Sequence, residues 1–307
     1  MNSVTILLAT YNGASYLNEQ LDSLLNQTYT DWNLLVHDDN SDDNTVKIIK
    51  QYIKRCPEKI ILIDDKISYN SASANFASLL KHVTTEYVMF CDQDDVWLPN
   101  KIEITLNKMI DLENSELIKK PLLVHTDLKI VDSDLNILSN SYRIYQNLNP
   151  QYHTLNRLLV QNVITGCTII INKELVKRIQ SIPREAIMHD WWIGLVATTF
   201  GEIHYITTPT ILYRQHTNND TGANHYNIRS IVRQARQLSV MNLDIYIRQA
   251  NAFLKMYSKQ LSTKERSLLK DFISIKKTSW FHSKYILYKH NIIKQGIARN
   301  LGLLLCP

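Results

Sequence analysis

Apolar runs and helix-period stripes alternate through the first hundred residues. Residues 4–9 (VTILLA) are apolar throughout; Asn12 and Ser15 then offer caps, and Leu17, Leu21, Leu24 and Leu25 follow at helical spacing. The runs 33–37 (NLLVH), 60–63 and 87–91 (YVMFC) repeat the strand pattern, with stripes Val46, Ile49, Ile53 and Phe76, Leu79, Leu80, Val83 between and after them. Strands without polar alternation are buried on both faces. Alternating with helices, they predict a doubly wound, Rossmann-like α/β half with a mostly parallel sheet and right-handed crossovers.

From residue 120 the pattern is mixed. PLLVHTDLKIVDSDLNIL predicts two strands joined by a polar turn around Ser133 and Asp134. Further strands are predicted at 163–171, 203–206 and 211–213, and helices at 173–179 and 190–200. From about Ile228 the chain is predicted to be helical to its end, with stripes Ile231, Ala235, Leu238 and Leu268, Leu269, Phe272, Ile275. This predicts one domain over 1–225, with halves 1–100 and 101–225, and a helical appendage over 226–307.

Composition narrows the function classes. A chain of 307 residues, 45% hydrophobic and 21% charged, excludes disordered and fibrous classes. No apolar run approaches the roughly 18 residues of a membrane span. The N-terminus lacks a charged leader region and meets Asn12 early, so a cytoplasmic protein is expected. Cys56, Cys91, Cys167 and Cys306 form no short-spaced pair, which predicts free thiols. The seven glycines cannot be arranged as GxGxxG, GxxxxGK[ST] or GxSxG. A bound nucleotide would therefore be held by side chains and a metal.

In a doubly wound sheet, ligands bind beyond the carboxyl ends of the strands. Thr10-Tyr11-Asn12, Asp38-Asp39 and Asp92-Gln93-Asp94-Asp95 each follow a predicted strand and should converge. Closely spaced carboxylates repel unless a cation sits among them, and hard oxygen ligands suit Mg²⁺ or Mn²⁺. Asp94 and Asp95 could equally be turn and cap residues, and the run DDNSDDN could simply turn the chain. Asp39 could also accept from a nucleobase imide. Asp190 opens an apolar helix as an N-cap or a cleft carboxylate. Arg214 and His216 close a strand, as surface polar residues or site residues.

The ordered set ATYNG, LNQTY, DDNSDDNT, FCDQDDVWLPNKI, TGCTIIIN, HDWW and YRQH resembles family 2 glycosyltransferases of the GT-A fold, over roughly residues 3–220. LLVHTDLKIV, DQDDVW, HDWW and YRQH are similar to bacterial rhamnosyltransferases of cell-wall or capsular polysaccharide. The resemblance implies that Thr10, Tyr11, Asn12 and Asp39 hold the donor nucleoside, with Asn75, Gln93 and Arg214 on the nucleotide side. It implies a DxD pair, Asp92 and Asp94, completed by His216 around Mg²⁺ or Mn²⁺. Asp190 stands at the catalytic base, and Gly166, Trp191 and Trp192 on the acceptor side. The implied donor is dTDP-rhamnose, with a UDP-hexose as the alternative, and the implied acceptor a glycan or lipid-linked glycan. Two departures stand out. DDNSDD replaces DDGSTD, so Asn40 must take the left-handed turn conformation. SYNSASANF keeps Asn75 but lacks the glycine and basic residue often found before it.

The chemistry suits the residues. A departing nucleoside diphosphate needs positive charge, and an attacking hydroxyl needs a base. One base with no second nucleophile favours inversion. A metal-dependent nucleotidyltransferase or phosphohydrolase would use similar carboxylates, and an inactive scaffold would not need them. Residues 264–299 hold nine Lys/Arg against Glu265 and Asp271, with Trp280, Phe281, Tyr285 and Tyr288 interspersed. That mixture suits docking on an anionic membrane surface, and equally a packed appendage or a homodimer interface. No nucleic-acid partner is expected.

Overall fold

The computed structural model describes residues 3–115, 119–216 and 243–305. Its first half runs β1 (Val4–Thr10), α1 (Leu17–Leu25), β2 (Trp32–Asp38), α2 (Thr45–Arg55), β3 (Ile60–Leu62), α3 (Ala72–Leu80) and β4 (Tyr87–Cys91). The middle runs β5 (Val96–Trp97), α4 (Lys101–Asn114), β6 (Leu122–Val131), β7 (Ile137–Ser139), α5 (Tyr142–Gln146), α6 (Leu155–Leu158), β8 (Ile169–Asn172), α7 (Lys173–Ile179), α8 (His189–Phe200) and β9 (Glu202–Arg214). Four helices follow: α9 (Leu243–Tyr257), α10 (Thr263–Ser274), α11 (Trp280–Lys289) and α12 (Ile297–Leu305).

The nine strands among the described residues join one sheet, ordered β3-β2-β1-β4-β8-β6-β9-β5, with β7 beside β6. The β3-β2-β1-β4 part is parallel, as the uninterrupted apolar runs require. Beyond β4 the sheet is mixed: β8 is antiparallel to β4 and β6, whereas β9 lies parallel to β6. Successive residues of a strand face opposite sides, and both sides are covered. Leu7, Val88 and Phe90 pack towards α3, α8 and the C-terminal helices. Ile6, Leu8, Met89 and Cys91 pack towards α1, α2 and α4.

Three predicted strands need correction. The run 163–171 becomes a strand only at Ile169, because Gly166–Thr168 forms a 3₁₀ turn. The runs 203–206 and 211–213 form one strand, since the β6–β9 pairing shifts register at Thr126/Asp127 and absorbs Thr207 and Thr208. The two-residue β5 carries no readable pattern. It pairs with β9, so the acidic loop between β4 and β5 is pinned at both ends. The stripe Ile231, Ala235, Leu238 lies outside the described residues, as does Cys306. Cys56, Cys91 and Cys167 are free thiols. No helix among the described residues is long and apolar enough to cross a membrane.

The C-terminal helices close over α8. Trp192 meets Phe253 edge-on at 5.4 Å and Phe200 meets Tyr257 at 5.1 Å. Leu268, Leu269, Phe272 and Ile275, the predicted stripe, complete this buried layer. At the end of α8 the chain passes close to Pro121. A β-carbon on Gly201 would lie 1.9 Å from the Pro121 carbonyl oxygen, an atom that also accepts from the Glu202 amide at 3.0 Å. Neither backbone can swing away as a side chain would. Gly201→Ala is expected to destabilise the fold by about 3 kcal/mol, the upper end for overpacking, read as a lowered denaturant midpoint at unchanged slope.

Candidate active site

The carboxyl ends of β1, β2 and β4, the start of α8 and the loop before α3 enclose a cleft of about 500 Å³. Thr10, Tyr11, Asp39, Asn75, Asp92, Gln93, Asp94, Gly166 and Asp190 all line it. The sheet thus brings together residues up to 180 positions apart in sequence.

One wall is built from the loops after β1 and β2. Thr10 Oγ1 donates to Asp38 Oδ1 at 2.8 Å, and Asp38 Oδ2 accepts the Ser41 amide at 2.9 Å. Asn12 and Asn40 take the left-handed conformation, with φ 47° and 62°. The glycine-free turn therefore closes as expected of Asn40. Asn12 stands outside the cleft lining. Its amide donates to Ser41 Oγ and its Oδ1 accepts from the Asp42 amide, so it ties the two loops together. Asp39 is buried and accepts from Ser68 Oγ and the Tyr69 amide, which aims it across the cleft floor. Tyr11 is exposed where it lines the cleft. Asn75 Nδ2 donates to the His37 carbonyl oxygen at 3.2 Å, while its buried Oδ1 has no partner among the described residues.

The acidic loop forms the opposite wall. Gln93 bridges back to β1: its Oε1 accepts the Tyr11 amide and its Nε2 donates to the Tyr11 carbonyl oxygen, both at 2.9 Å. Its amide is thus engaged with main chain. Asp94 Oδ2 lies 2.8 Å from His216 Nε2, and the His216 ring packs 4.8 Å from Tyr16. Arg214 is a buried strut. Its Nε donates to the Asp94 carbonyl oxygen at 2.8 Å, and its other nitrogens reach the Ser133 carbonyl oxygen and Glu19. With its side chain 1% exposed and outside the cleft lining, Arg214 positions the acidic loop rather than facing a nucleotide. Asp95 is no helix cap. It is fully buried, accepts the Arg214 amide at 3.1 Å, and holds its proton far more tightly than an ordinary carboxyl because of burial and the nearby charges of Asp94 and Asp92.

Asp190 lies in the first turn of α8 and is nine-tenths buried. Burial raises its pKa to about 7, against hydrogen bonds from the Trp191 and Gly166 amides and the Asn162 side chain that favour the charged form. Gly166 sits against the preceding residue: a β-carbon there would meet His189 Nε2 at 2.8 Å. His189 also lines the cleft, a residue the motif reading left without a role. It lies between Phe76 and Phe90, and burial lowers its pKa to about 3, so it is neutral. The tryptophans after Asp190 diverge. Trp191 Nε1 donates to the Leu158 carbonyl oxygen and its ring packs against Tyr246. Trp192 has no exposed surface and belongs to the core with Phe253 and Tyr257, so it cannot meet an acceptor.

The model of the family described as "Glycosyl transferase family 2" matches residues 5–179, more than half of the chain. The chain belongs to glycosyl transferase family 2. Among curated relatives, it is 30% identical to the dTDP-rhamnosyl transferase RfbG of Shigella flexneri, over 71% of this chain and 74% of that one. It is 27% identical to the UDP-Glc:alpha-D-GlcNAc-diphosphoundecaprenol beta-1,3-glucosyltransferase WfgD of Escherichia coli, over 56% of this chain and 61% of that one. Among solved structures, TarS 1–349 of S. aureus in complex with UDP-GlcNAc superimposes with a TM-score of 0.55 and 14% identity, covering 98% of this chain and 90% of that one. The GT-A fold is therefore shared well beyond recognisable sequence likeness.

Within this family 2 fold, the acidic wall suits a divalent cation. Asp92 and Asp94 face the cleft, and their charges already push up the proton affinity of Asp95 behind them, a strain that a cation would relieve. Ligand atoms of Asp92, Asp95 and Cys167 also lie within 4.8 Å of one another. Burial holds the Cys167 thiol protonated, however, and a protonated thiol is a poor ligand for a hard ion. Asp92 and Asp94 are the carboxylates that face the cleft, and His216 Nε2 stands 2.8 Å from Asp94 Oδ2.

Proposed function

We propose that this glycosyltransferase moves L-rhamnose, with inversion, from dTDP-rhamnose to a hydroxyl of a growing, lipid-linked bacterial surface polysaccharide. The observation that carries the transfer chemistry is Asp190: a buried carboxylate with pKa about 7 at a helix start, lining the same cleft as Asp92 and Asp94. A base is most effective when its pKa lies near working pH. Asp190 takes the proton of the acceptor hydroxyl as that oxygen bonds to the sugar's anomeric carbon. The bond from that carbon to the diphosphate breaks, and its electron pair leaves with the nucleoside diphosphate. Thr10, Tyr11 and Asp39 hold the nucleoside, and Gln93 keeps their loop in register with the acidic wall. Asp92, Asp94 and His216 would hold a divalent cation, Mg²⁺ or Mn²⁺, which would supply positive charge for the leaving diphosphate. Gly166 leaves room for the acceptor beside Asp190. Residues 1–225 form the catalytic domain in this reading, and 226–307 brace it at the cytoplasmic face of the membrane.

The donor assignment draws on the likeness to RfbG, and the lipid-linked acceptor on the printed activity of WfgD. WfgD also favours a second donor, a UDP-hexose. Incubation with dTDP-rhamnose, UDP-glucose and UDP-GlcNAc, each with Mg²⁺ or Mn²⁺, separates the two. Release of dTDP and thermal stabilisation are expected with dTDP-rhamnose. Turnover of a UDP-sugar alone would move the assignment to a UDP-hexosyltransferase. Release of pyrophosphate would overturn the transfer chemistry itself.

A further inference from the structure

The helix α11 buries one side and leaves the other bare. Ser283, Ile286 and Leu287 are buried against the appendage. Trp280, Phe281, Tyr285 and Tyr288 occupy the opposite side, at spacings of one, five and eight residues from Trp280. Phe281 is 80% and Tyr288 84% exposed, and the other two are more than half exposed. Isolated apolar side chains on a surface are ordinary, but four aromatics on one helical face are not. Lys284 lies on the same face, its ammonium 5.4 Å from the Trp280 ring centre. The last helix, α12, repeats the arrangement with Ile297, Leu301 and Leu304 exposed while Leu303 is buried.

Charge identifies the occupant. After Asp271 the sequence contains no further Asp or Glu, yet it holds Lys276, Lys277, Lys284, Lys289, Lys294 and Arg299. Residues 264–299 net +7 from nine cations and two anions, more than the +5 of the whole chain, so the remainder is slightly acidic. Lys255, Lys259, Arg266 and Lys270 line an open groove of the same appendage, with no carboxylate among its lining residues. A second copy on a two-fold axis would bring this cationic surface against itself. An anionic bilayer complements it: amphipathic aromatic rings settle at headgroup depth, and lysines reach the phosphates around them.

We propose that the exposed face of α11, with the outer stripe of α12, docks the enzyme on an anionic lipid bilayer. This extends the reading of a lipid-linked acceptor given above, and the test contains neither donor nor acceptor, so either can fail alone. The full chain is sedimented with vesicles of phosphatidylglycerol and phosphatidylcholine in equal parts, and with phosphatidylcholine alone. Binding is expected to the first and not the second, and to weaken as salt shortens the screening length to about 8 Å at physiological strength. The variant Trp280→Ala/Phe281→Ala/Tyr288→Ala is expected to lose at least tenfold in vesicle affinity while keeping its melting temperature, since these side chains face solvent. Should it lose stability, Tyr288→Ser alone and the charge variant Lys277→Glu/Lys284→Glu give the same reading. Absence of wild-type binding to the anionic vesicles at low salt would overturn the proposal, as would variants that bind like wild type. A concentration-dependent dimer abolished by the aromatic variant would assign the face to a second copy.

Discussion

Asp190→Asn is expected to lose roughly 10²–10⁴ in turnover, the scale of a missing general base, with donor affinity almost unchanged. Asparagine keeps the shape, and its one oxygen can still accept the Trp191 amide that Asp190 Oδ1 receives, but it cannot take a proton. The parent enzyme should gain activity as pH rises through about 7, because only the ionised carboxylate is a base. Below that pH activity should fall tenfold per unit, and the variant should show no such limb. Stability carries an independent sign. The folded pKa of about 7 stands above the ordinary 3.8, so the fold holds this proton more tightly than the unfolded chain does. The parent therefore loses stability relative to the variant as pH rises from about 4 to about 7. Melting temperatures of the two proteins at pH 5 and pH 8 read this directly. Normal turnover in the variant would reduce Asp190 to a helix-start residue.

Asp94→Ala is expected to cost at least about 10²–10³ in turnover, as removal of one charge-stabilising group does elsewhere, and to weaken donor binding as well. The two effects should appear together, unlike those of Asp190, because in the proposed mechanism Asp94 works on the diphosphate in both ground and transition states. The substitution also releases His216 from its 2.8 Å contact. Chelation of the intact enzyme should reproduce the loss, and added Mn²⁺ or Mg²⁺ should restore it. Donor turnover in excess EDTA equal to that with metal would remove the cation from the mechanism.

The parallel half of the fold was legible because burial on both faces leaves nothing but apolar residues in a strand. Its strand-end loops followed from the same logic, which is why Asp39, Asp92 and Asp94 could be placed around one cleft from sequence. What failed were distinctions made only by direction. Trp191 and Trp192 are neighbours in sequence, but a helix turns about 100° per residue, so one reaches Leu158 and the other enters the core. Asp94 and Asp95 differ in the same way, one facing the cleft and the other buried behind it. Arg214 looked like a ligand for phosphate because it closes a strand beside the site. Its guanidinium is instead taken up by two carbonyl oxygens and Glu19, partners scattered over 195 positions of sequence. His189 stands in the HDWW motif without a role, since a buried neutral histidine and a working one are written alike.

The clasp between Gln93 and Tyr11 sets a limit on how such an enzyme can be re-engineered. Gln93 fills the space where a β-carbon on Gly13 would stand only 2.2 Å from its Oε1. If these loops hold base and diphosphate as proposed, the two are not separate modules that can be exchanged between relatives. A transplanted nucleoside loop that brings any larger residue at position 13 would push the Gln93 side chain aside and break its two hydrogen bonds to Tyr11. Swapping donor nucleotides by grafting calls for the glycine and the glutamine to travel as one unit.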